Sequence, residues 1–597
     1  MSLIMLLIGA WAFGARAVDA AALRGAERAA VTMLTGLCAI AVAVMIVGSV
    51  SLFAAMTGLI VGVCGWLIVR ARRESRKPDD AGEPAVVPAP KLTRVESLCA
   101  AVIGVALGLG FVSAVAPNTS WDAASAHLAL AQDYTREGRL YVYEGNTYSG
   151  YPQLLHTLYA SAFWNGGEIG AGLLNWLFAL LAVLACYALG KRLGDRTSGF
   201  LGAALFATTP LFFDQAGTSG IDLPFAALVL GAIVLLYAWA DACSMTVLLL
   251  AGFLAGSSCG IRHTGYLVCA LLVGGLVLFA PRDRVKAAGV FVAVAVLAAT
   301  PWVVRSGVTT GNPTYPMFAS VFGVSGLVDD QTTPIGGHET VQRSRVFDAI
   351  VFPVDVVLRP WHYDGWTKSP GPAVLVFGAA GLAMGLRRTA PLGLFAVAGA
   401  LPFYFFQRFA RYVFPFYAPL FAVGGLSGRA GRGVWAVALA SMAFGLTLGA
   451  GMTYFKFPAA FGLQLRNAYL NERIDRYEAF EWLNARREAP GVVLTLDPRA
   501  FYIDRPTYAN IYALAEIADA SEEAQIAWLD ERDVRYVFYP VAYVDESPVF
   551  AAHGLDALAQ RWIGGGAGFE VAATIETPRR DGSGNEVTHI LRRGDAE

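Results

Sequence analysis

Residues 29–69 are 41 consecutive positions without an Asp, Glu, Lys or Arg. A helix needs about 20 apolar residues to cross the hydrocarbon of a bilayer, so this run alone allows two crossings. Six further uncharged runs, at 97–121, 169–190, 223–240, 242–261, 287–304 and 433–455, are 18 to 25 residues long. Such a chain is expected to be a polytopic α-helical membrane protein. Fourteen spans are counted, roughly 1–15, 30–52, 54–70, 95–115, 168–190, 198–213, 222–240, 245–261, 264–280, 286–304, 371–386, 391–406, 411–426 and 433–455. The first lacks a basic leader and a clear cleavage site, and reads as a span rather than a signal peptide.

Lys and Arg gather in alternate connections: Arg16 to Arg28, Arg70 to Lys77, Lys191 to Arg196, Arg282 to Lys286, Arg387/Arg388 and Arg429/Arg432. The positive-inside bias makes these cytoplasmic. Parity then sends 116–167, 305–370 and the C-terminal segment to the outside of a cytoplasmic (inner) membrane. The Pro- and acid-rich stretch 76–94 reads as a cytoplasmic linker between three N-terminal spans (1–75) and the main membrane domain (95–455).

Charge density changes near residue 456. Residues 1–455 hold 53 charged side chains and 456–597 hold 38, densities of about 12% and 27%. Soluble domains carry roughly 25%. The tail holds 15 basic and 23 acidic residues. At net −8 it has no electrostatic reason to bind nucleic acid. A helix over 471–488, strands near 492–496, 535–541, 570–575 and 587–591, and a capping box at 519–522 opening a second helix predict a soluble α/β domain. Gly564–Gly568 reads as a turn, since neither a helix pattern nor a GK[ST] follows it. The seven Cys lie in spans or at a cytoplasmic turn, so no disulfide framework is expected.

Few charges lie deep in any span, which disfavours a transport path, and no inverted repeat is visible. Polar residues gather at outer span ends instead. Asp122 follows the 97–121 run at the start of a helix-like stretch. It either caps that helix or stands ionised at its N-terminus, able to take a proton from a hydroxyl.

Trp121-Asp122, His127-Leu128, Gly138-Arg139 and Tyr148-Ser149-Gly150-Tyr151-Pro152 together resemble the first outer loop of bacterial glycosyltransferases of the C-type fold. The protein O-mannosyltransferase-like and aminoarabinose-transferase-like enzymes are the nearest in pattern. Ile221-Asp222-Leu223-Pro224, Thr300 to Arg305 with Thr310 to Pro316, Arg408 to Tyr412 with Pro415, and Phe480 to Asn484 resemble the same group, in matching order over about 95–500. The resemblance implies about 14 spans with an outer-face site and a donor sugar carried on a polyprenyl phosphate. It maps the family's first-loop Asp, a general base or acceptor-orienting residue, onto Asp122, and a second acid onto Asp222, with Asp214 as rival. The Lys that aminoarabinose-type relatives carry before the loop Pro is absent here, where Tyr151 stands, and His156 is the substitute.

A phosphate leaving group calls for cations, and Arg262, Arg305, Arg408 and Arg411 all fall at outer span ends. Each either meets phosphate or snorkels to the interface. Arg408 and Arg411, three apart, would share a helix face. His127, Tyr151 and His156 complete the substrate-binding set, while His263 is expected to pack. His338, His362, Trp361, Tyr363 and Trp366 read as loop or interface residues. No metal is assigned; a divalent cation on Asp122, Asp222 and His127 is the alternative. The expected partners are a polyprenyl-phosphate-linked sugar, the bilayer, and a glycan, lipid or protein acceptor. The competing readings are a flippase for polyprenyl-linked glycans and a scaffold acting through its tail.

Overall fold

A computed structural model describes residues 2–74, 91–323, 345–486, 491–579 and 584–594. The linker expected at 76–94 falls largely outside the described residues, and His338 wholly so. Among the described residues, eight helices are long and apolar enough to cross a membrane, and three shorter apolar helices, Ser2–Val18, Met245–Ser258 and Thr264–Phe279, accompany them. The most deeply packed is Asp222–Ala242, followed equally by Gly25–Gly48 and Leu154–Leu193. Small residues let helices approach closely here: a Cβ at Gly172 would lie 2.4 Å from the Ala114 carbonyl oxygen.

The expected outer loop, 116–167, is largely helical, including the helix-like stretch expected after Asp122. Helix Leu128–Glu137 crosses it, and a second helix begins at Leu154 and ends at Gly167 (φ 55°, ψ −153°), where the span expected at 168–190 begins. The spans expected at 371–386 and 391–406 are two helical stretches within Ala373–Ala400 that meet at Gly385, beyond which Gly393 lies against Leu382.

Four of the basic connections, those around Arg28, Arg192, Arg388 and Arg429, meet at one end of the bundle. Arg192 bonds Glu27 (2.6 Å) and Asp241 (2.8 Å), Arg388 bonds Asp241 (2.8 Å), Arg196 bonds Glu96 (2.6 Å), and Arg429 bonds Asp195 (3.0 Å). The C-terminal domain sits on the opposite end. It carries a five-stranded sheet of β1 (Val492–Thr495), β2 (Thr507–Tyr508), β3 (Val534–Pro540), β4 (Phe569–Pro578) and β5 (Asn585–Arg593), in the order β2-β1-β3-β5-β4. β1 is parallel to β2 and β3, while β5 is antiparallel to β3 and β4. The four expected strands are present. The helix expected over 471–488 is two, Arg466–Arg473 and Tyr477–Asn484, because Arg476 takes a left-handed conformation (φ 67°). Ser521, not Asp519, caps the next helix by accepting from the Ala524 N–H.

The domain docks on the segment around Asp122. Tyr502 donates its hydroxyl to the Asn118 carbonyl (2.9 Å), the Ala509 N–H bonds the Gly145 carbonyl (2.7 Å), and Arg532 pairs with Glu144 (2.8 Å).

Candidate active site

Helix Arg94–Val115 opens with a Thr93/Glu96 capping box and delivers the chain to an extended Ala116. Asn118 then fixes the approach to Asp122. Its N–H bonds Glu168 (3.0 Å), its side-chain amide bonds the Thr218 carbonyl (2.9 Å), and its side-chain oxygen accepts from the Ser120 N–H (2.9 Å). Asn118 is buried, and sequence reading passed over it. Asp122 does not cap. It has helical backbone angles, makes no capping bond, and precedes a π-helical turn, Ala123–His127. Such turns recur at functional sites because they re-aim side chains.

Two ion pairs meet beside it. Arg411, in the first turn of helix Ala410–Gly424, bonds Asp122, and its Nε lies 3.2 Å from Asp364. Arg262 bonds Asp222 at 2.7 Å. Tyr412 joins the pairs: the Arg262 guanidinium lies 3.8 Å from its ring centre and that of Arg411 5.5 Å. Lys368 stands 3.4 Å from Asp364. Asp222, Asp364, Arg262 and Arg411 are nearly buried, whereas the Asp122 side chain is 40% exposed. A cation in the first turn of a helix opposes the macrodipole. The carboxylates around Arg411 offset that cost.

Burial pushes the Asp122 carboxyl up, but Arg411, then His127 and Lys368, outweigh it and hold it below the usual carboxylate range. Asp364 goes the other way, raised by burial against Arg411 and Lys368. Burial takes His127 down to about 4 although Asp122 pulls it up. His127 is hydrogen-bonded to His156 (2.9 Å between ring nitrogens).

Of the expected residues, Asp122, Asp222, Arg262 and Arg411 come together. His127 and His156 form a buried pair behind Asp122. Arg305 bonds the Ser149 carbonyl (3.1 Å) and braces the loop holding Tyr151, whose ring packs on Tyr315 and His263. Gly150 has no room for a side chain: a Cβ would stand 2.7 Å from the Tyr315 ring. Arg408 does not share a helix face with Arg411. The helix starts at Ala410, and Arg408 lies before it, its Nε on the Tyr404 carbonyl (2.9 Å) and its guanidinium over the Tyr404 ring. Asp214, the rival acid, accepts from Gln215 (2.7 Å). Sequence reading missed Asp364, Lys368 and Tyr412. Asp364 sits in Trp361-His362-Tyr363-Asp364-Gly365-Trp366, an acid among aromatics like Trp121-Asp122, and that likeness was the available signal.

A divalent cation fits poorly. Among the described residues no three His, Cys, Asp or Glu gather as ligands. Asp122, Asp222 and Asp364 are each already neutralised by Arg411, Arg262 or Lys368.

Comparison with known proteins agrees with this architecture. A family model described as dolichyl-phosphate-mannose-protein mannosyltransferase matches residues 153–308, about a quarter of the chain. No curated protein matches. Among solved structures, ArnT from Cupriavidus metallidurans bound to undecaprenyl phosphate is similar at 13% identity, over 83% of this chain and 98% of that one, with a TM-score of 0.56. The apo oligosaccharyltransferase of Archaeoglobus fulgidus is 14% identical over 78% and 72% of the two chains, at a TM-score of 0.47. The arabinofuranosyltransferase AftD from Mycobacteria is 15% identical over 85% of this chain and 40% of that one, at 0.44. At such identities the likeness is one of fold, and the ArnT match carries it. The chain is a polytopic membrane protein with the fold of the C-type glycosyltransferases.

Proposed function

We propose that the protein is a membrane glycosyltransferase that moves a sugar from a polyprenyl phosphate to an acceptor hydroxyl at the extracytoplasmic face of the cytoplasmic membrane. The observation that carries this reading is the half-exposed Asp122 carboxylate paired with Arg411 at the N-terminus of a helix. A helix N-terminus and a guanidinium both favour an anion, and together they suit a phosphate. Lys368, paired with Asp364, adds a second cation to the cluster.

The chemistry follows from competition for Arg411. With no donor, Arg411 keeps Asp122 ionised but weakly basic. A donor phosphate taking up the Arg411 guanidinium removes that cation from Asp122, whose basicity then rises. The carboxylate accepts the proton of the acceptor hydroxyl as its oxygen bonds the anomeric carbon. The bond from that carbon to the phosphate oxygen breaks, its electron pair stays on the phosphate, and Arg411 and Lys368 neutralise the charge. Asp222 and Arg262 hold Tyr412, and through it Arg411, in place. The exposed Phe405 and Phe406, just before this helix, offer apolar surface for the isoprenoid chain. The gathering of Asp122, Asp222, Asp364, Arg262 and Arg411 on the side where the C-terminal domain docks favours this reading over a flippase.

The test is reconstitution with undecaprenyl-phosphate sugars and with nucleotide sugars. Release of undecaprenyl phosphate from the first, with the second inert, is expected. Translocation of intact donor without cleavage contradicts the proposal.

A further inference from the structure

Beside Asp122 lies an aromatic surface that the reaction above does not use. Trp121 is 41% exposed although it stands between two domains. From the C-terminal domain, Tyr543 brings its ring to 5.9 Å from that of Trp121, tilted by 46°. Each ring is backed by a guanidinium: Arg499 lies 4.8 Å from the Trp121 centroid and Arg476 lies 5.1 Å from that of Tyr543. Both arginines converge on one carboxylate, Asp497, at 2.6 Å and 3.2 Å. Asp497 is fully buried, and Arg476 also bonds Glu586. A buried ionic frame of this kind is costly to desolvate and contributes little net stability. What it provides here is a fixed orientation for two rings, one of them on the residue that precedes Asp122 in the chain.

We propose that Trp121 and Tyr543 form an acceptor subsite that binds a sugar ring of an uncharged glycan and presents its hydroxyl to Asp122. Sugar rings turn patches of C–H bonds to aromatic faces, and their hydroxyls hydrogen-bond to carboxylates. Two exposed acids follow Tyr543, Asp545 accepting from Tyr539 and Glu546 paired with Arg579. The tail's excess of 23 acidic over 15 basic residues repels an anionic acceptor and tolerates a neutral one. The proposal rests on the glycosyltransferase reading for the role of Asp122, but the subsite is measured by binding alone.

Saturation-transfer NMR on the full chain in detergent would use three neutral probes, mannopentaose, maltopentaose and arabinopentaose, beside a Ser/Thr-rich peptide. Saturation of ring protons in at least one oligosaccharide is expected. Affinity should fall about three- to tenfold in Tyr543→Ala, the range of one aromatic contact. Tyr543→Leu, which keeps apolar packing against Phe550, should lose as much. Undecaprenyl phosphate binding should persist in both variants and report that they fold. Oligosaccharide binding without any donor cleavage by the wild type refutes the enzyme and leaves the subsite standing. No oligosaccharide saturation, binding indifferent to both variants, or Tyr543-dependent binding of the peptide alone overturns the subsite.

Discussion

Removing Arg411 separates a structural partner from a phosphate-binding group. Its guanidinium bonds Asp122 and stands 3.2 Å from Asp364. In Arg411→Ala the buried Asp364 keeps only Lys368, at 3.4 Å. Deleting one partner of a buried ion pair costs about 3–5 kcal/mol. The remaining Lys368 and the 40% exposure of Asp122 place this case near the lower bound, about 3 kcal/mol. Adding Asp364→Asn should recover most of that loss, since the uncompensated charge is gone. Donor binding should not recover. Charge-assisted hydrogen bonds contribute about 1.5–3 kcal/mol, so affinity for undecaprenyl phosphate should fall roughly 10- to 150-fold in both variants. Arg411→Lys keeps the charge without the fork and should lose only part. Thermal unfolding in detergent and titration with undecaprenyl phosphate read the two effects separately. A double variant that regains stability and binds undecaprenyl phosphate like the wild type would refute the phosphate role.

Two further predictions probe topology and pH. Ser521, in the docked domain, should as Ser521→Cys react with a membrane-impermeant thiol reagent in intact cells; labelling only after lysis would reverse the orientation. Burial holds His127 at about 4 in the folded protein, below its unfolded value near 6.5. The unfolded chain therefore binds the proton first, and stability present above pH 6.5 is lost as pH falls toward 4, by about 3 kcal/mol. His127→Gln should make that window shallower in melting curves without abolishing it, since burial also holds His156 below its ordinary value, and equal acid sensitivity in both proteins would contradict it.

The membrane helices were legible because uncharged runs of this length have one stable environment. The alternating basic connections were legible for the same reason, and their ion pairs at one end of the bundle agree with them. What local pattern could not give was pairing. Asp122 and Arg411 are 289 residues apart, and Arg262 and Asp222 are 40 apart. No periodicity links such positions, so the site appeared as single residues at span ends and its partnerships emerged only in the folded chain. Asp364 was passed over because a long loop imposes no spacing. Arg408 was grouped with Arg411 because a spacing of three suggests one helix face, and the helix begins two residues too late for that. The breaks at Gly167 and Gly385 fall at the limits of expected spans, whereas the turn at Arg476 was invisible because hydrophobic periodicity does not register one residue leaving helical angles.

The most direct test of the central claim is turnover by Asp122→Asn. The substitution keeps the side chain's size and removes its charge and basicity. Because Asp122 makes no capping bond, no cap is lost, and Arg411 retains Asp364 as a partner. The purified variant should fold, bind undecaprenyl phosphate, and transfer sugar about 10²- to 10⁴-fold more slowly than the wild type. Near-normal transfer would contradict the assignment of the base and move it to Asp222.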